Sequence, residues 1–353
     1  MNILFITRSY SKNKGGKEIY NYNLVQALKK TNDVYAITSS GSFLNMVWFY
    51  PYSFVKTFYY LSTKKVDVVH FGDNFMLPGI YPLAKLFRKK ISITLYGLEL
   101  TYPSSVYQTI FVNPMKRGDY FISISKAVAD VAVSKGIPRE KIKVITPGMN
   151  PHEFDMKEGG GRAALRKKLE DKIGISLGNK KILLTSGRLV KRKGVEWFVS
   201  NVIPKISKDY VYLISGEGEE GENIRKSIEK NKLEERVFML GRTSHELLKL
   251  LYNASDVFVM PNIHVEGDME GFGIVIIEAN SVGLPVVASK IEGIKDALKD
   301  KVTGLFAEEK NTDDFIRKIK EVEKLNKNKM IDYVNKTFDW NEIAKEFVEV
   351  WER

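Results

Sequence analysis

The sequence predicts an α/β protein built from two doubly wound, parallel-sheet domains in tandem. Short β-branched runs alternate with helical patterns from residue 2 onwards, and the alternation starts again after the segment 157–175. Strands that alternate with helices form parallel sheets with helices on both faces. The length of 353 residues also fits two domains of ordinary size.

The first domain is expected to span residues 1–155. After its first strand, a glycine turn "NKGGKE" leads into the helical pattern "IYNYNLVQALKK". A run of apolar residues that ends in a turn signal recurs six times. These strand-like runs are "NILFIT", "DVYAITS", "DVVHFG", "KISITLYG", "DYFISIS" and "KIKVITPG".

The second domain is expected to span residues 156–335. Its strand-like runs are "KKILLTSG", "VYLISGEG", "RVFMLGR", "DVFVMP" and "LPVVASK". The final "FDWNEIAKEFVEVWER" is an amphipathic helix pattern with no strand after it, so residues 336–353 are expected to pack back on the first domain. Because ligands bind at the carboxyl ends of parallel strands, two such edges facing each other would form a cleft.

Composition excludes several classes of protein. Cysteine is absent, which rules out disulfides and thiolate sites. No uninterrupted apolar run reaches the roughly 20 residues that span a bilayer. The opening "MNILFITRSY" is typical of a strand and lacks the pattern of a signal peptide. A cytoplasmic location is therefore expected.

Positive charge is concentrated in the first half of the chain. Residues 1–150 hold 20 Lys and Arg against 8 Asp and Glu, whereas residues 151–353 hold 35 of each. This asymmetry indicates an anionic partner such as phosphates, nucleic acid or a membrane surface. A solvated basic face is the alternative. No nucleic-acid recognition motif is present, so no nucleic-acid partner is expected.

The segment 41–65 is unusually aromatic. It reads "GSFLNMVWFYPYSFVKTFYYLSTKK", with eight aromatic residues between Trp48 and Tyr60, followed by Lys64 and Lys65. Aromatic rings beside lysines are typical of a segment that lies in a membrane interface. A helix pair packed on its own sheet is the other interpretation. Either way, Pro51 and Lys56 argue against a membrane-spanning helix.

Two motifs carry candidate chemistry. In "SGRLVKRKG", Arg188 and Lys193 follow a strand and are spaced to clamp a diphosphate. In "MEGFGIVIIEANS", a helix starting near Phe272 or Gly273 would offer free amides to an anion. Eight helical residues rise about 12 Å, so Glu270 and Glu278 could contact opposite ends of an extended ligand. Alternatively, Glu278 pairs with a nearby Lys or Arg.

A third motif, "GEGEEG" (216–221), follows a strand and precedes a helix. Its G-x-G-x-x-G spacing is weak evidence for a dinucleotide site. An NAD-dependent oxidoreductase with two Rossmann domains is therefore an alternative, although three glutamates in this loop would repel a pyrophosphate.

The order and spacing of these motifs resemble the retaining GT-B glycosyltransferases of family 4. "KGGKE" is similar to the early glycine loop of that family, "YGLEL" to its acceptor-side turn and "ITPGMN" to its domain linker. "YNASDVFVMPN" is similar to the lead-in to its glutamate motif, and "FDWNEIAKEF" to its returning C-terminal helix. The resemblance covers nearly the whole chain and implies a GT-B fold, with two Rossmann-like domains facing each other across a cleft.

The resemblance also implies a function and a set of site residues. The expected reaction moves a hexose from a UDP- or GDP-sugar to an acceptor with retention of configuration and without a bound metal or cofactor. Arg188, Lys193 and Glu270 would be catalytic. Donor-binding residues would be Gly15, Gly16, Phe272, Gly273, Ile274 and Glu278. Tyr96, Glu99 and His70 are candidates on the acceptor side, although a buried histidine without a site role is the alternative for His70.

Two further expectations concern the partner and the chemistry. The basic first half and the segment 41–65 favour a glycan or lipid-linked acceptor in glycan or glycolipid synthesis, with the protein peripheral on the inner membrane face. The GT-B fold also occurs in sugar phosphorylases and sugar-nucleotide epimerases. These chemistries are kept as alternatives to transfer.

Overall fold

The computed structural model describes residues 1–12, 15–39, 43–156 and 161–353, without the side chains of 43–46. The chain divides into two compact units. The first unit holds residues 1–149, 267–272 and 338–353, and the second holds 150–266 and 273–337. The sequence instead predicts the first boundary at 155/156 and the short segment 267–272 within the second domain.

The first unit begins with a regular alternation of strands and helices. Its elements in chain order are β1 (Asn2–Thr7), α1 (Gly16–Leu28), β2 (Asp33–Thr38), α2 (Phe43–Thr63), β3 (Val68–Phe71), α3 (Leu77–Leu86), β4 (Lys90–Leu95), α4 (Leu98–Thr101), α5 (Ser105–Tyr107), α6 (Asn113–Met115), β5 (Tyr120–Ser123), α7 (Lys126–Ser134) and β6 (Ile142–Val144). A 3₁₀ turn covers Asn74–Met76, and a π-helical turn covers Gln108–Val112.

All pairings in the first sheet are parallel, in the order β2-β1-β3-β4-β5-β6. The strand order reverses between β1 and β3, which makes their carboxyl ends the topological switch point of this sheet. The inner strands β1, β3, β4 and β5 are buried on both faces, as the continuous run Ile3 to Ile6 in β1 indicates.

The second unit repeats the architecture. Its elements are α8 (Gly161–Ile173), β7 (Lys181–Ser186), α9 (Val195–Asn201), β8 (Tyr210–Ser215), α10 (Gly221–Lys230), β9 (Val237–Met239), α11 (His245–Ala254), β10 (Val257–Met260), α12 (Ile274–Ser281), β11 (Val286–Ser289), α13 (Ile294–Ala297), β12 (Gly304–Ala307), α14 (Thr312–Val322) and α15 (Lys327–Thr337). The sheet is again parallel, in the order β12-β11-β10-β7-β8-β9, and its switch point lies between β7 and β10.

The edge strand β12 was not predicted from the sequence. Its four residues "GLFA" contain no β-branched side chain, so they do not resemble the longer runs. Gly304 explains how the strand lies so close to its neighbour: a Cβ atom there would lie 2.2 Å from the carbonyl oxygen of Val286 on β11. The short strand thus depends on backbone proximity that periodicity cannot reveal.

The last helix, α16 (Trp340–Glu352), belongs to the first unit and packs against α1. The Asp339 side chain caps it by accepting a hydrogen bond from the amide of Asn341 at 2.8 Å. Trp351 is 1% exposed, and its ring lies 5.3 Å from that of His70 and 5.5 Å from that of Phe347. The C-terminal helix therefore completes the core over β3.

Helix α2 exposes many of its large apolar side chains. Its inner stripe repeats every fourth residue and consists of Phe49, Ser53, Thr57 and Leu61. Its outward residues are mostly apolar, and those at least 45% exposed are Val47, Trp48, Tyr52, Phe54, Val55, Phe58 and Tyr59. Two hydroxyls thus lie in the inner stripe while most of the aromatic rings face outward, which is unusual for a surface helix. No helix in the described ranges has the length and hydropathy needed to cross a membrane.

Replacement of Trp351 with Ala is expected to lower the free energy of unfolding by about 3–5 kcal/mol, because it removes a fully buried ring. Trp351→Phe should cost much less, since the indole Nε1 has no hydrogen-bond partner in the part of the chain that is described. Denaturant unfolding measures both. The exposed neighbour Glu352 is the control, and an equal effect of Glu352→Ala would contradict the packing role of α16.

Candidate active site

The carboxyl ends of β7 and β8 carry two loops that are joined backbone to backbone. The amide of Gly187 donates to the carbonyl of Ser215, and that of Leu189 donates to Glu217, both at 2.9 Å. On the other side, the amide of Ile263 after β10 donates to the carbonyl of Arg192 at 2.9 Å. The loop 186–194 is therefore fixed from both sides at the switch point of the second sheet.

This loop brings the two predicted cations to the carboxyl end of β7. Arg188 is exposed, and Lys193 closes a 3₁₀ turn that covers Lys191–Lys193. The Cε atom of Lys193 lies 4.0 Å from the position of a Cβ on Gly187, so the lysine stem runs back along the start of the loop. Cations at this edge suit an anionic ligand.

The glycines of "GEGEEG" are explained by packing between loops. A Cβ on Gly216 would lie 1.9 Å from the carbonyl oxygen of Gly187, and one on Gly218 would lie 2.2 Å from that of Leu189. Only glycine permits such an approach. The G-x-G spacing that suggested a dinucleotide site thus arises because this loop lies against the loop 186–194.

Helix α12 begins with Gly273 as its N-cap, in a left-handed conformation with φ of 88°. Ile274 is the first helical residue and is partly exposed. The first turn of an α-helix leaves its amides without helical partners. The start of α12 is therefore the anion-favouring end that the sequence predicted near Phe272 and Gly273.

Glu278 lies one turn before the end of α12 and meets Tyr252 of α11. The tyrosine hydroxyl donates to Glu278 Oε2 at 2.8 Å. Burial raises the pKa of Glu278 to about 7; the Tyr252 hydrogen bond acts in the opposite direction, and Glu153 acts in the same direction as burial. The described residues include no Lys or Arg in a salt bridge with Glu278, so the alternative of a basic partner is not found.

Glu270 lies in the first unit, within the segment 267–272. The Thr101 hydroxyl donates to the carbonyl of Gly267 at 3.1 Å, and a Cβ on Gly271 would lie 2.5 Å from the carbonyl oxygen of Tyr96. Glu270 itself is 8% exposed. The two glutamates of the motif therefore belong to different units. Their contact with opposite ends of one ligand stays a prediction.

Tyr96 and Glu99 lie together at the carboxyl end of β4. The amide of Tyr96 donates to Glu99 Oε1 at 2.6 Å, and the Tyr96 hydroxyl donates to Asn21 Oδ1 at 2.9 Å. Asn21 on α1 also donates to the carbonyls of Ser9 and Gly72. One buried amide thus connects the loops after β1, β3 and β4.

Sequence reasoning missed Asn21, Asp73 and Tyr252. Asp73 accepts hydrogen bonds from the Thr7 hydroxyl and from the amides of Arg8 and Phe75. The polar pair "DN" directly after the strand "DVVHFG" was the available signal for Asp73. Asn21 and Tyr252 stand in helical apolar patterns, where nothing distinguishes them from packing residues.

The structure favours the alternative of a buried histidine for His70 over a place on the acceptor side. Its side chain is fully buried, with Nδ1 3.0 Å from Ser92 Oγ and Nε2 3.1 Å from Thr94 Oγ1. Burial lowers its pKa to about 3, so the ring is neutral. It packs among Phe5, Phe347 and Trp351, and a core role accounts for it.

Gly15 and Gly16 begin α1 in the first unit. Gly15 is the N-cap, with φ of 71°, and a Cβ on it would meet the Glu18 carboxylate. A Cβ on Gly16 would have open space around it. The preceding loop residues Asn13 and Lys14 lie outside the described residues, so the predicted role of this glycine loop in donor binding stays a prediction.

Comparisons with known proteins agree with this arrangement of motifs. An uncharacterized glycosyltransferase of Methanocaldococcus jannaschii is 31% identical over 245 residues, which cover 65% of this chain and 59% of that protein. The amylovoran biosynthesis glycosyltransferase AmsK of Erwinia amylovora is 26% identical over 69% of this chain and 58% of its own length. The phosphatidylinositol N-acetylglucosaminyltransferase GPI3 subunit of Saccharomyces cerevisiae is 26% identical over 60% of this chain and 45% of its own length. The matches thus span less than two thirds of these relatives.

Solved structures share the fold over the whole chain. HepE of Anabaena in complex with UDP superimposes with a TM-score of 0.79 at 18% identity, covering 100% of both chains. The sucrose-phosphate synthase of Thermosynechococcus elongatus gives a TM-score of 0.75 at 18% identity, covering 100% of this chain and 98% of that one. At this identity the likeness concerns the fold, which is GT-B.

The family models cover most of both units. The model described as Glycosyltransferase Family 4 matches residues 14–153, and the model described as Glycosyl transferases group 1 matches residues 167–338. The chain belongs to the family 4 glycosyltransferases of the group 1 type.

Proposed function

We propose that the protein transfers a hexose from UDP-hexose to an acceptor hydroxyl with retention of configuration, and that the acceptor is a glycan or a lipid-linked glycan. The second unit would bind the donor and the first unit the acceptor. The choice of UDP over GDP is supported by HepE, which was solved in complexes with UDP and with UDP-glucose.

The observation that carries this proposal is the environment of Glu278. The Tyr252 hydroxyl holds one carboxylate oxygen, and in the described part of the chain it is the one hydrogen-bond donor to that carboxylate. The other oxygen is left to accept hydrogen bonds from a diol such as ribose. Such a carboxylate, partly buried on a helix whose N-terminus favours anions, suits a nucleoside diphosphate.

Arg188 and Lys193 would take the diphosphate, with the amides of Gly273 and Ile274 assisting. During transfer, the bond between the anomeric carbon and the β-phosphate oxygen breaks, and the acceptor oxygen bonds to the same face of that carbon. The acceptor proton passes to the departing phosphate. Negative charge grows on the β-phosphate, and the two cations stabilise it in the absence of a metal. Glu270 would hold a hydroxyl of the donor sugar.

One of the alternatives loses its support, and the others differ from transfer in their products. An NAD-dependent oxidoreductase rested on "GEGEEG", whose glycines are explained by loop packing. Phosphorylase and epimerase chemistry differs from transfer in its products. Transfer releases UDP only when an acceptor is present, whereas a phosphorylase forms a sugar phosphate without UDP and an epimerase returns a UDP-sugar.

The aromatic helix α2 favours an acceptor presented at a membrane. Its exposed rings continue to the end of α3, because the Phe58 ring contacts that of Phe87 at 5.9 Å and Leu86 beside it is 75% exposed. Exposed Lys64, Lys65 and Arg88 border this surface. Rings rimmed by cations suit an interface of anionic lipids. The GPI3 relative carries phosphatidylinositol in its name, in keeping with a lipid-linked acceptor.

Calorimetric titration with UDP, GDP, ADP and NADH in the presence of EDTA tests the donor site. UDP should bind, and Glu278→Ala or Lys193→Ala should weaken it by about tenfold or more, because each removes a charge-assisted hydrogen bond. Lys208 precedes β8 at the opposite edge of the sheet, so Lys208→Ala is the matched control. Binding of NADH alone would refute the proposal.

Glu278→Gln should stabilise the ligand-free protein above pH 7. The unfolded carboxyl ionises near pH 4.5, whereas the folded one resists ionisation until about pH 7. The native state therefore loses stability as pH rises across this window, by up to about 3 kcal/mol. Denaturant unfolding at pH 4.5 and pH 8 should show a gain for Glu278→Gln at pH 8 alone. The exposed Glu234→Gln is the control, and a gain that does not change with pH would contradict the assignment.

Flotation with liposomes tests the membrane surface. The protein should float with vesicles that contain phosphatidylglycerol and stay behind with neutral phosphatidylcholine vesicles, and binding should fall in high salt. Replacing Trp48 and Phe58 with Ser should abolish flotation. Val133, an exposed apolar residue of α7 that is 40% exposed, provides the control Val133→Ser. Self-association in place of vesicle binding would assign the surface to a second copy of the chain.

A further inference from the structure

The switch point of the first sheet carries a second set of side chains that the donor chemistry does not use. Arg8 comes directly after β1, and Asp73 lies two residues after the end of β3. The guanidinium lies 3.8 Å from the Asp73 carboxylate and 4.4 Å above the Phe75 ring, and its side chain is 36% exposed. Ligands of open parallel sheets bind at this position, so these residues stand where an acceptor would approach.

Four aromatic rings extend from Arg8 in a continuous row. Phe75 stacks on Phe111 with centroids 4.7 Å apart and planes 16° apart. Phe111 contacts Tyr107 at 5.0 Å, and Tyr107 contacts Tyr102 at 5.2 Å. Phe75, Phe111 and Tyr107 are half-buried, whereas Tyr102 is exposed. The row of Phe75, Phe111, Tyr107 and Tyr102 is called the aromatic row below. It offers partly exposed ring surface along the loops after β3 and β4.

A buried amide beside the row lacks a partner. Asn74 is 3% exposed; its Oδ1 accepts a hydrogen bond from the Tyr107 hydroxyl at 3.2 Å. Its Nδ2 has no hydrogen-bond partner among the described residues. An unsatisfied buried donor is costly, so it indicates that another group completes the site. That group must offer an acceptor oxygen next to the Tyr107 ring.

The charges around the row are balanced. Burial raises the pKa of Tyr107, and Glu99, Arg8 and Asp73 are near enough to shift it as well. Lys17 lies 4.6 Å above the neighbouring Tyr96 ring. Two cations, Arg8 and Lys17, thus stand against the two carboxylates Asp73 and Glu99. Without excess positive charge the site does not favour a phosphate, whereas carboxylates and an amide N–H suit hydroxyl groups.

We propose that the aromatic row, together with Asn74, is the acceptor subsite and binds a cyclic polyol, with its C–H face on the Tyr107 and Phe111 rings and a ring hydroxyl accepting from Asn74 Nδ2. This inference rests on the proposed function and makes it more specific. The acceptor is then a saccharide or an inositol headgroup, not a bare lipid phosphate. The enzyme would add a hexose to a cyclic polyol that an earlier reaction has supplied.

Saturation-transfer NMR on the whole protein, with UDP bound to occupy the donor site, tests the subsite. The probes are methyl glucoside, methyl galactoside, methyl mannoside, myo-inositol and inorganic phosphate. At least one cyclic polyol should bind, and Tyr107→Ala should weaken it by roughly tenfold through loss of the stacked ring. Tyr107→Phe keeps the ring and should retain most of the affinity. Binding of a methyl glycoside indicates a saccharide acceptor, and binding of myo-inositol indicates an inositol headgroup.

Tyr120 provides the matched control. Its ring lies 5.2 Å from the Lys90 ammonium at the amino ends of β4 and β5, so it forms a similar cation–ring pair at the opposite edge of the sheet. Tyr120→Ala should leave polyol binding unchanged, and denaturant unfolding should show that each variant is folded. Binding of phosphate alone, no polyol binding, or polyol binding unaffected by Tyr107→Ala would overturn the subsite while leaving UDP binding intact. Loss of UDP binding in the unmodified protein would overturn the proposed function instead.

Discussion

The reversal of strand order in each parallel sheet is the constraint on which the rest of the molecule depends. At the reversal the loops that follow two neighbouring strands turn away in opposite directions. The backbone groups just beyond these strand ends therefore have no regular ladder of hydrogen bonds. Backbone groups there still need partners. The second unit meets this need with backbone bonds between the loops of Gly187, Leu189 and Ile263. The first unit meets it with side chains, chiefly Asn21 and Asp73.

These two solutions give the two edges different chemistry. Loops joined through their backbones require glycine at Gly216 and Gly218, and they hold the turn that carries Arg188 and Lys193. Loops joined through buried amides and carboxylates leave partly exposed aromatic rings beside them. This contrast supports the two proposals, a diphosphate at the second unit and a neutral polyol at the first, although both sheets have the same parallel architecture.

Most of the fold could be predicted from the sequence because parallel strands buried on both faces form continuous apolar runs. Eleven of the strands correspond to such runs, and β12 escaped because its contact with β11 depends on a glycine. Local motifs also placed Arg188, Lys193 and Glu278 on the right elements. What failed depends on tertiary context. Spacing cannot show that the Glu278 carboxylate meets Tyr252, that His70 is enclosed by Trp351, or that four aromatic residues from separate turns form one row.

The short segment 267–272 belongs to the first unit, although its neighbours in sequence on both sides belong to the second. The chain passes between the units at 149/150, 266/267, 272/273 and 337/338, so neither unit is a continuous stretch of sequence. Within this segment Phe272 is 3% exposed and its ring contacts that of Phe338, while Gly271 lies against Tyr96. A recombination event that exchanged residues 150–337 as a block would import these six residues into a foreign first unit. Any viable hybrid must therefore match the turn at Tyr96 as well as the second unit, which limits how freely recombination can exchange the two units.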